Sequence, residues 1–272
     1  MEPTGASKVP AARHVLSVLR HLAAQAGPVP AAGIARDLGL PRSTTYQLLA
    51  ELAELGFVVH LPEERRYGLG IASFELGSAY SRQAPLARLA RPVLARLVDR
   101  VGHSAHLAVL HGRDVLYVVE ERAPGRPPLV TDVGVRLPAH LTASGRALLA
   151  ELPAAQVRAL FPDRAAFADR TGLGPGRLSE LRAVLVGVRR RGFALEDGEV
   201  TPGFASTAAA VLDHSGHPVA GVAVTYPSAD PAPGPGPAWT TGTERSPAAV
   251  ALAVQDSADE LTRRLRGRPR RT

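Results

Sequence analysis

Ala31-Ala-Gly-Ile-Ala-Arg-Asp-Leu-Gly39, continued by Leu40-Pro41 and Arg42-Ser-Thr-Thr-Tyr-Gln-Leu-Leu-Ala-Glu-Leu52, has the spacing of two short helices joined by a tight turn. Ile34, Ala35 and Leu38 recur at helical intervals, and Gly39 can leave the right-handed helix without steric cost. Ala35, four positions before that glycine, is small enough to let a second helix cross close by. Pro41 suits the first turn of the second helix, where a missing N–H leaves nothing unpaired. This is the pattern of a helix-turn-helix, and it makes DNA the first partner to consider. A plain pair of amphipathic helices would show the same spacing, so the flanking sequence has to decide.

In the second helix Tyr46, Leu49 and Leu52, with Leu48 beside them, are expected to face inward. Arg42, Ser43, Thr44, Thr45 and Gln47 then lie near the exposed N-terminal half, where they can reach phosphates and base edges. Upstream, Ala11 to Ala24 carries Val15, Leu16, Leu19 and Leu22 at helical spacing and completes a small core. Downstream, Gly56-Phe-Val-Val-His60, the polar stretch Leu61-Pro-Glu-Glu-Arg-Arg66 and Tyr67-Gly-Leu-Gly70 read as strand, tip and strand. Three helices followed by a hairpin give the order of a winged helix-turn-helix over residues 1–70. Its wing would present Arg65 and Arg66 to phosphates or a minor groove. Glu63 and Glu64 alongside keep a purely solvated hairpin tip open.

The chain has 272 residues, enough for a second domain with its own core. It has no cysteine, which excludes disulfides and thiolate metal sites. No apolar run reaches membrane-spanning length, and Met1-Glu-Pro-Thr-Gly-Ala-Ser7 lacks the apolar stretch of a signal peptide. A soluble, cytoplasmic protein without a membrane partner is expected. The formal charge of +7 suits a polyanion. Yet in residues 1–70 seven Lys and Arg stand against six Asp and Glu, a net of +1. The excess lies in Arg82 to Arg100 and in the tail Arg263-Arg-Leu-Arg-Gly-Arg-Pro-Arg-Arg271.

Ile71 to Gln83 is expected to form a linker helix within 71–85, and Leu86 to Val101 a further helix that Pro92 should bend or split. The period then changes. Ala105–His111 and Val115–Val119 flank Gly112-Arg-Asp114 as a hairpin, and Leu129–Val133 is expected as a short strand. The segment from Gly134 to Gly145 is polar and opens a helix at Arg146–Glu151, with Thr142 or Ser144 as its cap. Helices near Ala154–Leu160 and Leu178–Arg191 follow. Strands are expected around Phe193–Leu195, Ala205–Leu212 and Val219–Tyr226, with a final helix from Pro247 to about Leu265. The fold class is α+β, with an antiparallel sheet flanked by helices in residues 86–272. Residues 228–246, dense in Pro and Gly and containing Trp239, read as an insertion.

From about Lys8 to Leu265 the chain resembles the IclR family of bacterial transcriptional regulators. Two stretches carry the resemblance beyond the winged helix. They are Gly134-Val-Arg-Leu-Pro-Ala-His-Leu-Thr-Ala-Ser-Gly-Arg146, and Gly192-Phe-Ala-Leu-Glu-Asp-Gly-Glu199 through Gly203 to Tyr226. The resemblance implies a GAF-like C-terminal domain that binds a small effector, commonly a carboxylic acid or aromatic metabolite. It also implies dimers, or dimers of dimers, on palindromic double-stranded operators. Positions matching the family's effector pocket are Leu129, Leu137, Ala143, Ser144, Glu196, Phe204, Ser206, Ala223 and Thr225. Amides at the helix start near Ala143–Gly145 suit a carboxylate, and Ser144, Ser206 and Thr225 supply hydroxyls. Arg146 in place of the usual lysine, Gln47 in place of a common arginine, Ser206 in place of a frequent cysteine and the apolar Ala223 depart from the family pattern. They imply a different or more apolar effector.

No cofactor is expected, and no nucleophile elbow, phosphate-binding glycine loop or dinucleotide fingerprint occurs. His103 and His106 would point to opposite faces of a strand, so they do not converge on a metal. Glu196, Asp197 and Glu199 could mimic paired catalytic carboxylates, although turn residues or effector contacts suit them better. The expected function is a ligand-responsive DNA-binding regulator. A constitutive DNA-binding protein and an enzyme using the C-terminal pocket remain the other two classes.

Overall fold

A computed structural model describes residues 9–83, 85–125, 131–228 and 247–267. Leu129, Lys8, Trp239, most of the 228–246 insertion and the end of the arginine-rich tail lie outside the described residues. The chain divides into two compact units, Met1–Ala84 and Pro85–Thr272.

In the first unit α1 (Pro10–Ala23), α2 (Ala31–Leu38) and α3 (Arg42–Glu54) enclose Val18, Leu22, Ile34, Leu49 and Leu52. Each such aliphatic side chain contributes about 1.5–3 kcal/mol when fully buried. Gly39 ends α2 in the left-handed region at φ 65°, and its N–H bonds back to Arg36. Pro41 stands one step earlier than expected, as the N-cap of α3 in extended conformation. A three-stranded antiparallel sheet follows, in the order β1 (Val29–Pro30), β3 (Arg66–Leu69), β2 (Val58–Leu61). β1 pairs Val29 with Tyr67 and Pro30 with Arg66, tying the wing to the entrance of α2. The linker helix α4 (Ile71–Gln83) closes this unit. Ser73 at its start donates to the Phe57 carbonyl at 2.9 Å.

The second unit is built on a six-stranded antiparallel sheet in the order β6-β5-β4-β9-β8-β7. The strands are β4 (Ser104–His111), β5 (Asp114–Glu121), β6 (Arg136–Pro138), β7 (Ala194–Asp197), β8 (Phe204–Leu212) and β9 (Pro218–Pro227). Ala108, Ala208 and Ala223 share a core with Ala143 and Leu148 of α6 (Ala143–Glu151) and with Leu181 and Leu185 of α8 (Leu178–Arg191). The alternating residues Leu107, Val211, Val222 and Val224 are fully buried too, so the opposite face must also be covered. The helices packing there are α5 (Pro85–Val101) and α9 (Pro247–Arg264). Arg96–Glu260 and Arg100–Asp256, both at 2.7 Å, clamp these two helices together.

Pro92 does not split α5, which runs unbroken through it. The lost backbone bond is offset by an apolar stripe of Ala90, Val93, Leu94, Leu97 and Val101, all buried. The strand expected at Leu129–Val133 fails in its described part, where Thr131–Val133 form a turn. Asp132 causes it, its carboxylate accepting from the Val133 N–H at 2.7 Å and its carbonyl from Val135. The missed strand is β6, three residues later, where Val115 pairs with Leu137. Among the described residues α7 (Ala154–Leu160) completes the helices, preceding a 3-10 turn at Arg164–Ala166.

Candidate functional site

On α3, Arg42, Ser43 and Gln47 are exposed, Thr44 is half-buried, and all four lie on the helix's N-terminal half. Thr45 is not available to DNA. It is fully buried, and its hydroxyl donates to the Pro41 carbonyl at 3.1 Å. Tyr46, expected inside, is instead 54% exposed. The two corrections have one cause: Thr45, Leu49 and Leu52 form the i, i+4, i+7 stripe that meets α2, which rotates Tyr46 outward. Tyr46 therefore joins the candidate face. On the wing, Arg65 sits at the tip with φ 52° and Arg66 donates to the Pro28 carbonyl at 3.0 Å. Both are exposed.

The second unit holds a cavity of about 90 Å³ between the sheet and the start of α6. Strand pairing lays Glu196, Ser206 and Thr225 side by side across β7, β8 and β9. The Ser206 and Thr225 hydroxyls are 3.0 Å apart. One step along the sheet, Ala223 of β9 pairs with His106 of β4. Thr142, Ala143 and Ser144 at the start of α6 close the opposite wall, and Thr131, Val200, Thr201 and Phe204 complete it. Thr142 is the N-cap, accepting from the Gly145 N–H at 3.0 Å. The next two amides, of Ala143 and Ser144, have no intrahelical carbonyl to meet.

Of the residues expected here, Ala143, Ser144, Glu196, Phe204, Ser206, Ala223 and Thr225 come together around the cavity. Leu137 does not. Its β6 position turns it into the apolar core beside Val115, away from the lining. His106, Tyr117, Thr131, Thr142, Val200 and Thr201 are additional. Tyr117 enters because a bulge between Leu107 and Ala108 places it opposite Ala108 and so on the cavity face. His103 and His106 diverge as expected, His103 lying against the Tyr226 ring at 5.8 Å.

The three acidic residues near the β7 end divide their work. Glu199 accepts from Arg146 at 2.8 Å, Asp197 is exposed, and Glu196 is buried in the cavity wall. Arg146 also donates to the carbonyls of His140 and Leu195, each at 2.8 Å, so its guanidinium is committed to the scaffold. Among the described residues no lysine or arginine lines the cavity. Burial raises the Tyr117 hydroxyl well above the ordinary phenol range; the Ser144 hydroxyl opposes this and the Glu196 charge adds to it.

Burial likewise pushes the Glu196 carboxyl up from 4.5 to about 7; the Val200 N–H opposes it, Glu199 adds to it, and Ser206 and Arg146 oppose it. The folded chain thus holds a proton that the unfolded chain has already lost, and stability falls as pH rises from 4.5 to about 7. Glu196→Gln removes this dependence. At about pH 8 the variant is expected to unfold with up to roughly 3 kcal/mol more free energy than the parent, and near pH 4.5 with little difference. Urea titrations at the two pH values check it.

The model described as IclR helix-turn-helix domain matches residues 11–62, and that described as Bacterial transcriptional regulator IclR C-terminal matches residues 78–230. The glycerol operon regulatory protein of Streptomyces coelicolor is 34% identical over 209 residues, covering 77% of this chain and 81% of that protein. The transcriptional repressor IclR of Escherichia coli is 28% identical over 216 residues, 78% of each. Among solved structures, a transcriptional regulator from Rhodococcus sp. RHA1 superposes with a TM-score of 0.74 at 26% identity, over 95% of this chain and 98% of its own. An IclR homolog from Microbacterium hydrocarbonoxydans, complexed with 4-hydroxybenzoate, shares the fold with a TM-score of 0.73 at 22% identity, over 94% and 99%. Both domain models are matched in order along more than half the chain, and it therefore belongs to the IclR family of DNA-binding transcriptional regulators.

Proposed function

We propose that a small organic acid bound in the C-terminal cavity controls operator binding by a homodimer or a dimer of dimers. Family membership makes the chain a DNA-binding regulator with an effector-binding C-terminal domain, and not an enzyme. The observation that carries the proposal is the cavity, lined by Ala143 and Ser144 at the start of α6 and by Ser206 and Thr225 on the sheet. The amides at that helix start favour an anionic group without any fixed cation. Occupancy would favour one arrangement of two protomers and so one spacing of their recognition helices, with α4 as the connecting element. Self-association is supported by apolar side chains of the first unit left uncovered: Leu16 of α1 and Ile71, Phe74 and Leu76 of α4 are each more than 60% exposed. Arg42, Ser43, Thr44, Tyr46 and Gln47, with Arg65 and Arg66 of the wing, are the proposed DNA contacts.

Genome-wide footprinting of the bound DNA tests this. It is expected to recover palindromic sites whose neighbouring genes nominate the effector. Protection should shift when that compound is added; 4-hydroxybenzoate, the acid bound by the Microbacterium homolog, is the first to try. Sites that no small molecule perturbs would instead make the chain a constitutive DNA-binding protein.

A further inference from the structure

We propose that His106 reads a hydroxyl group on the effector, with its Nδ1 as the acceptor and with Thr131 and Glu120 holding the ring in place. This rests on the cavity being the effector site. His106 is fully buried, lines the cavity, and its Nδ1 has no hydrogen-bond partner among the described residues. Leaving such an atom unpaired is costly, and a ligand donor would relieve it. The neighbouring Ala223 on β9 is only a methyl group and leaves the ring open to the cavity.

The other ring nitrogen is engaged. Nε2 lies 2.8 Å from the Thr131 hydroxyl and 3.8 Å from the Glu120 carboxylate. In the proposed tautomer the ring proton sits on Nε2, donating to the Thr131 hydroxyl oxygen and attracted by the Glu120 carboxylate beyond it, which leaves the lone pair on Nδ1. Glu120 is itself fixed by Arg122 at 2.9 Å, and Arg122 also pairs with Asp132 at 3.4 Å. His106 and Arg122 both hold the Glu120 carboxyl below its ordinary range against the cost of burial, which keeps it an acceptor. The Tyr117 ring, at 5.8 Å and nearly perpendicular, fixes the imidazole from the side.

A carboxylate on the ligand could not bond to such a nitrogen, whereas a hydroxyl can. A hydroxyl can also accept from Ser144, whose buried hydroxyl lines the same cavity. The ligand class is therefore a small hydroxylated acid. Its acid end lies at the start of α6 and its hydroxyl reaches across to β4.

Calorimetric titration of the full chain with matched acids tests this: 4-hydroxybenzoate against benzoate, lactate against propionate, mandelate against phenylacetate. At least one hydroxy acid is expected to bind about tenfold more tightly than its deoxy partner, the worth of one hydrogen bond. His106→Phe keeps a planar ring but removes both nitrogens, and the preference should fall to near unity. Ala223→Val covers the ring while leaving His106 and its partners intact, so it should give the same loss even if His106→Phe fails to fold. Equal binding within every pair, a preference that survives either substitution in folded protein, or no binding by any of the acids overturns the assignment. Operator footprinting would still stand in that case, which separates this failure from failure of the regulator proposal.

Discussion

Gly145→Ala is expected to destabilise the second unit by about 3 kcal/mol or more and to abolish effector binding. A Cβ at this position would lie 2.2 Å from the Ala139 carbonyl oxygen and 2.4 Å from its Cα. Both are backbone atoms, so no side chain can swing aside. Relief requires moving either α6 or the Ala139–Thr142 segment that leads into it. Each movement opens the cavity, because Thr142, Ala143 and Ser144 form its wall. Gly221 on β9 makes the same contact tight from below, where an added Cβ would come within 3.1 Å of the Ser144 carbonyl oxygen. The helix start is thus held between two backbones. Thermal unfolding of the variant should show the second unit's transition lowered by roughly 10 °C. Gly77→Ala on α4 meets nothing within 4 Å and serves as the control, with stability unchanged or slightly raised. Parent-like unfolding and ligand affinity in Gly145→Ala would show that the α6 start can shift without cost.

Replacing Arg42 and Gln47 together by Ala is expected to weaken operator binding about 100-fold or more, since each lost base or phosphate contact is worth about 1–3 kcal/mol. With the first 70 residues carrying a net charge of only +1, bulk attraction cannot supply the affinity. A few placed groups must, and dimerisation doubles them. Fluorescence anisotropy on a footprinted site, at fixed salt, measures the loss. Both side chains are exposed and outside the α1–α3 core, so the melting temperature of the variant should match the parent. Thr45→Ser retains the bond to Pro41 and should leave DNA affinity within about twofold, because Thr45 faces the core. A full-strength complex from the double variant would remove α3 as the recognition helix.

The helix-turn-helix was legible because local rules fix it: helical periodicity, a left-handed glycine and a small residue at the crossing are all short-range constraints. The hairpins of the second unit were legible for the same reason, through alternating strands and polar turns. The rotation of α3 was not. Thr45 and Tyr46 are neighbours, and only the direction from which α2 packs decides which of them is buried. Residues 31–54 alone permit either choice, since a hydroxyl can satisfy itself on Pro41 and a tyrosine can face water.

The cavity divides along the same line. Ser144, Glu196, Ser206 and Thr225 follow from the family resemblance, but no local pattern brings in His106, Tyr117 or Thr131. His106 belongs to the site because β4 pairs with β9 across a long separation in sequence, Tyr117 because one bulge shifts the register, and Thr131 because Asp132 turns an expected strand. Leu137 lay in a matching stretch yet pairs away into the core. By itself the sequence determined the element types, their order and the presence of a DNA-reading unit, all consequences of periodicity and backbone freedom. Only the tertiary structure decided which side chains share a buried space, because strand register and helix rotation are set by contacts between distant segments, and one residue of slip exchanges the two faces.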